Sequence, residues 1–206
     1  MLEVLIIIRL SILAATCIVA AIYWPYYKNS TQRYFFHFLL YVLLTEIAGA
    51  FLGPLLESNQ HFIFNTYTII SFSFYMNWFY KIIKMKKFMF LCFIIFIVSV
   101  LISVYFNGFN TKLLPVPITV GTIIIILNSM FFLKTYLTDN EVVNFKNSQK
   151  FWIVSSLLTF YIGFLPLQLL MFYLDTYSLN YNVILTLLFL ALYGGFTISF
   201  LCLKKK

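Results

Sequence analysis

Seven apolar stretches, each close to 20 residues long, alternate with short linkers that hold almost all of the charge in this sequence. A helix rises 1.5 Å per residue, so about 20 apolar residues cross a hydrocarbon layer roughly 30 Å thick. The stretches run over residues 3–24, 35–56, 62–80, 88–106, 113–133, 151–174 and 183–203. Composition explains why they cannot be the core of a soluble domain. Of 206 residues, 63% are hydrophobic and 10% charged, whereas a soluble domain carries roughly 25% charged residues. Too few charges remain to coat a water-facing exterior, so the exterior must meet lipid. The expected fold is an all-α polytopic membrane helix bundle of seven transmembrane helices forming a single domain over 1–206.

Placement of the basic residues sets the orientation. The linkers after spans one, three and five, with the C-terminal tail, contain Lys28, Arg33, Lys81, Lys84, Lys86, Lys87, Lys134, Lys146, Lys150, Lys204, Lys205 and Lys206, which are 12 of the 14 basic residues. The other side holds Arg9 and Lys112, with Glu57 and Asp175. Cytoplasmic loops are the lysine-rich ones, so the N-terminus is expected outside and the C-terminus inside. The first span is not expected to be a cleaved signal. It lacks a basic start, and Tyr23-Trp24-Pro25-Tyr26-Tyr27 stands where cleavage needs small residues. Heavy use of Phe, Tyr, Ile, Lys and Asn matches AT-rich coding DNA, and a bacterial inner membrane is the expected location. The net charge of +8 is divided among separate loops and gathers on no single face, so direct nucleic-acid binding is not expected.

Polar groups inside the spans are the candidates for a functional centre. Glu46 lies mid-span, where a carboxylate must be protonated, paired or turned to an internal cavity. Gly49 and Gly53 follow on the same helix face, and small residues at that spacing let a neighbour approach closely. Arg9 in span one lies within roughly 6 Å of the depth of Glu46, which suggests an Arg9–Glu46 pair. The alternative is an Arg9 that snorkels to head groups. Span three is the most polar. Thr66, Ser73, Asn77 and Tyr80 share one stripe, and Asn65 and Thr68 another. Either could line a cavity, but hydrogen bonds that fix helix packing are the favoured reading. Asn128 and Gln168 read in the same way. Pro166 is expected to kink span six, and Gly194-Gly195 to permit a close contact or bend. His37 and His61 are read as interfacial, as are Tyr23, Trp24, Trp78, Tyr80 and Trp152.

No metal ligand set, cofactor site or catalytic group is expected. Cys17, Cys92 and Cys202 form no CxxC pair and read as small apolar residues. HExxH, GxSxG and the phosphate-binding P-loop are absent. Asp139 and Asp175 are assigned to opposite sides, which excludes a paired-aspartate intramembrane protease. Three non-enzymatic classes remain: an accessory or regulatory protein acting through a protein partner or its own copies, a sensory input module, and a small solute transporter.

Some stretches resemble known families. Pro166-Leu167-Gln168 is similar to the Pro-Gln pair of small seven-helix sugar porters, without the intact dipeptide and without a matching three-helix repeat. Phe151-Trp152-Ile153, with Ser155-Ser156-Leu157-Leu158 and Phe160-Tyr161, resembles a span of small seven-helix membrane proteins common in Bacteroidetes, as does Asn65-Thr66-Tyr67. Size, multi-pass character and AT-rich bias are also similar to the membrane accessory protein of type VI-B CRISPR loci. That resemblance implies a role in tuning the interference of an RNA-targeting effector.

Overall fold

The computed structural model describes residues 2–52, 60–138, 147–170 and 178–205. Those residues form helices and connections, with no strand among them. The helices are α1 (Leu2–Ile22), the one-turn α2 (Trp24–Tyr27), α3 (Phe35–Leu52), α4 (Gln60–Ile82), α5 (Lys86–Asn107), α6 (Pro115–Thr138), α7 (Gln149–Leu169) and α8 (Leu179–Leu201), followed by a 3₁₀ turn at Cys202–Lys205. Five of them, α1, α5, α6, α7 and α8, are long and apolar enough to cross a membrane. This makes the chain an all-helical protein of multi-pass membrane character. The apolar helix Phe35–Ala50 in α3 is shorter. α4 has the length, but its Asn, Thr and Ser side chains dilute its apolar character.

Helix boundaries follow local chemistry. Ser148 and Ser178 cap α7 and α8, their side-chain oxygens accepting from Phe151 N and Tyr181 N, which satisfies donors that the first turn leaves open. Gly108 ends α5 at φ 70°, a left-handed conformation that costs glycine nothing. Pro115 opens α6 where a missing N–H is harmless. Pro166 interrupts the bonding of α7, which ends at Leu169. The sequence placed the end of that span at 174, and 171–177 lie outside the described residues.

The chain divides into two compact units, 1–39 with 126–206, and 40–125. In the first unit, α1 and α8 run parallel. Arg9 meets Asn182, Thr16 meets Tyr193 and Thr197, and Tyr27 stacks near Phe200, so both numbers rise together. α7 runs antiparallel to α8. Ser156 lies against Gly195, Phe160 against Phe189 and Gly163 against Leu188. The α7–α8 contact is close because two glycines admit it. A Cβ on Gly195 would stand 1.7 Å from Ser156 Oγ, and one on Gly163 would stand 2.4 Å from Leu188 Cδ2. Gly194 has nothing within 4 Å of such an atom. The core here is Leu13, Ala20, Phe35, Ile153, Leu157 and Phe196. Tyr27 is buried and donates to Ala20 O at 2.8 Å. Burial pushes its phenol up, so it stays a protonated donor.

In the second unit, α4 and α5 form an antiparallel hairpin, with Phe72 beside Phe96 and Phe62 beside Phe109. α3 also runs against α4, with Tyr41 stacked on Tyr67 and Gly49 against Phe64. α6 is parallel to α4, because Asn65 reaches Leu114 and Phe72 covers Gly121, a constant offset in number. The exposed surface of α5 is apolar, with Leu101, Tyr105 and Phe106 at 64%, 84% and 77% exposure. Such a surface suits lipid and not water.

Candidate intramembrane polar centre

Glu46 sits half-buried on α3, one turn before Gly49. Phe64 Cζ would lie 3.0 Å from a Cβ on Gly49, so the glycine lets α4 come close at this level. The Glu46 carboxyl is within electrostatic reach of the Tyr67 phenol, and Tyr41 joins the same neighbourhood. The Tyr41 and Tyr67 rings stack at 6.4 Å and 24°. Thr45 turns its hydroxyl back to Tyr41 O at 2.9 Å, a local bond that keeps this polar group satisfied inside α3. The centre is thus a carboxyl in electrostatic reach of Tyr67, whose ring stacks on Tyr41 where α3 and α4 touch. Gly53, the other small residue of the expected stripe, lies outside the described residues.

Asn65 is elsewhere occupied. Its side chain is fully buried, its Nδ2 donates to Phe109 O at 2.8 Å and Lys112 O at 2.9 Å, and its Oδ1 accepts from Leu114 N at 3.1 Å. One amide therefore staples the connection between α5 and α6. An amide carries two donors and two acceptor lone pairs, and three of those positions are used. Asn77 is exposed on α4. Asn65 thus staples a loop and Asn77 faces outward, while Thr66, Thr68 and Ser73 are half-buried. Trp78, read as an interfacial anchor, is 3% exposed and belongs to the interior.

Arg9 belongs to the other unit. Its Nη2 donates to Asn182 Oδ1 at 3.5 Å, and its guanidinium lies 5.8 Å from the centre of the Phe189 ring. Asn182 in turn donates to Ser178 O at 3.1 Å, which ties the pair to the start of α8. His37 is exposed and packs edge-on to Trp24 at 5.2 Å.

Two polar features escaped the sequence. Thr16 donates to Ile12 O at 2.9 Å and lies 3.0 Å from the Thr197 hydroxyl, joining α1 to α8. A lone threonine in an apolar run gives no warning of its partner. The second feature is the doublet Asn128-Ser129 on α6, of which the sequence reading singled out only Asn128. Both are fully buried, and neither amide atom of Asn128 nor the Ser129 hydroxyl has a hydrogen-bond partner among the described residues.

Among the described residues no group of three His, Cys, Asp or Glu side chains could hold a metal ion. No protein-family model matches the chain, and no curated protein or solved structure shows significant similarity to it.

Proposed function

We propose that this chain is a seven-crossing protein of a bacterial inner membrane, N-terminus outside and C-terminus in the cytoplasm. In this reading it acts without catalysis, as an accessory or regulatory subunit that works through a protein partner. The observation that carries the reading is how the polar side chains of the helices are used. Asn65 holds a loop, Thr16 and Ser156 bond to backbone carbonyls at helix contacts, and Arg9 is oriented by Asn182. A transporter needs a polar path, and an enzyme needs convergent reactive groups. These four polar groups serve packing.

Helix directions support seven crossings. α3 runs against α4, α4 against α5 and α7 against α8, while α4 is parallel to α6 and α1 to α8. Within each unit these directions match a chain that passes back and forth through a bilayer. Within this class, the reading we favour is modulation of a type VI-B CRISPR RNA-targeting effector. It follows from the likeness in size, multi-pass character and compositional bias.

Interference against an RNA phage, measured with the effector alone and with the effector plus this chain, tests that role. A change of tenfold or more in plaque number, with the effector recovered together with this chain from solubilised membranes, is expected. Unchanged interference and no co-purification would refute the effector reading. Solute uptake by proteoliposomes would move the chain to the transporter class.

A further inference from the structure

The buried face of α6 carries two adjacent polar side chains. Leu127, Met130 and Phe131 look outward at 48%, 55% and 38% exposure, while Ile124, Ile125 and Phe132 are buried. Asn128 and Ser129 lie on that buried face at 0% exposure. Neither Nδ2 nor Oδ1 of Asn128, nor Oγ of Ser129, has a hydrogen-bond partner among the described residues. Other hydroxyls of the same helix turn back on it. Those of Thr119, Thr135 and Thr138 donate to Pro115 O, Phe131 O and Lys134 O at 3.0, 3.0 and 2.8 Å. A helix offers that bond, four residues back, to any serine or threonine. Ser129 does not take it. Nor does Thr122, the other fully buried hydroxyl of α6 without a partner among the described residues.

Three neighbouring polar atoms left unmet would be costly. Each lowers the folding equilibrium by roughly fivefold or more, and three together by at least about 100-fold. Their chemistry selects what meets them. Asn128 offers two N–H donors and a carbonyl acceptor, and Ser129 a hydroxyl that serves as either. A cation would meet the two oxygens and leave Nδ2 unpaired. An anion would meet the donors and be repelled by Oδ1. The one charged residue of α6, Lys134, is five positions further on and exposed, so the helix brings no charge to hold an ion. Water is neutral, donates and accepts, and is small enough to be enclosed. Enclosed waters make about three bonds to polar groups that are otherwise unsatisfied, and the doublet presents three such atoms.

We propose that Asn128 and Ser129 form an internal water-binding site, with the Asn128 amide as its anchor. The proposal is independent of the regulatory role. Asn65 supplies a matched control. It is the same residue type and equally buried, but both N–H groups of its amide are taken by Phe109 O and Lys112 O. The experiment is solid-state NMR on the full-length protein, labelled with ¹⁵N-asparagine and reconstituted in lipid bilayers. It reads magnetisation passed from water to side-chain amides at short mixing times. Asn128→Leu identifies the Asn128 signal. That variant removes amide and water together, an exchange for an apolar side chain that is close to neutral for stability. Transfer to Asn128 is expected to exceed transfer to Asn65 by about threefold or more, because only the Asn128 N–H groups face water. In Ser129→Ala the water loses one partner, and transfer to Asn128 should fall by about half. Equal transfer at Asn128 and Asn65 would overturn the proposal. Transfer to Asn128 unchanged by Ser129→Ala would overturn the shared site. Transfer from the carbon-bound protons of a co-purified small molecule, and not from water, would overturn it in favour of a polar ligand.

Discussion

Asn65 and Asn128 are the same residue type, both fully buried in a helix, and they should behave oppositely on substitution. Asn65 satisfies three backbone groups of the α5–α6 connection, so Asn65→Leu strands two carbonyls and an N–H. Leaving buried polar groups unmet costs about 1–3 kcal/mol each, so a loss of about 3 kcal/mol or more is expected in detergent unfolding. Asn128 has no hydrogen-bond partner among the described residues. Asn128→Leu removes an amide whose burial is unfavourable, and stability is expected to hold or rise. A drop comparable to that of Asn65→Leu would show that Asn128 is satisfied in the protein. Asn77, exposed on α4, should tolerate alanine within about 0.5 kcal/mol. The Arg9–Glu46 pair, expected from depth along the sequence, is a separate proposal. Its check is a double-mutant cycle on Arg9→Met and Glu46→Gln. A coupling of about 1 kcal/mol or more supports the pair, and additive losses remove it.

At the scale of elements, the α7–α8 contact makes the sharpest demand. Gly195→Ala pushes a methyl group into Ser156, whose Cβ would stand 2.8 Å away, while Gly194 faces open space. Overpacking a tight contact costs about 1–3 kcal/mol. Gly195→Ala should lower the unfolding midpoint, Gly194→Ala should not, and Ser156→Gly should recover part of the loss in the double variant. Equal effects at the two glycines would contradict this packing. These elements were only partly legible in the sequence. The apolar runs gave α1, α5 and α8 with ends within four residues of those observed, because lipid-facing helices are set by length and hydropathy; α6 runs five residues past the expected end at 133, and the expected end of α7 at 174 lies outside the described residues. The pair Gly194-Gly195 could be seen, but which glycine meets a neighbour depends on rotation about the helix axis, and hydrophobicity on all sides conceals that rotation. Asn65 was visible as an unusual polar residue in span three. Its partners are backbone atoms more than 40 positions away, and backbone atoms leave no mark in composition. Glu46 stood out for the opposite reason, since a carboxyl in a run of Leu, Ile, Ala and Gly is its own signal, and Gly49 beside Phe64 supports its place at the α3–α4 contact.

At the scale of the molecule, the number of crossings is what every functional reading depends on. Among the described residues five helices meet the requirement for spanning by length and hydropathy alone, and α3 and α4 decide between five crossings and seven. Both counts put the tip at Lys84 and the connection at Asn110 on opposite sides, so those positions serve as references. Gln60, at the start of α4, separates the two. A single cysteine at Gln60, probed in intact cells with a membrane-impermeant maleimide in a background where Cys17, Cys92 and Cys202 are replaced, is the most direct measurement. With seven crossings and the N-terminus outside, cysteines at positions 60 and 110 react from the exterior, and one at position 84 reacts only after the cells are opened. Protection of position 60 together with position 84, while position 110 remains reactive, would mean that α3 and α4 do not cross the membrane and would contradict the seven-span topology.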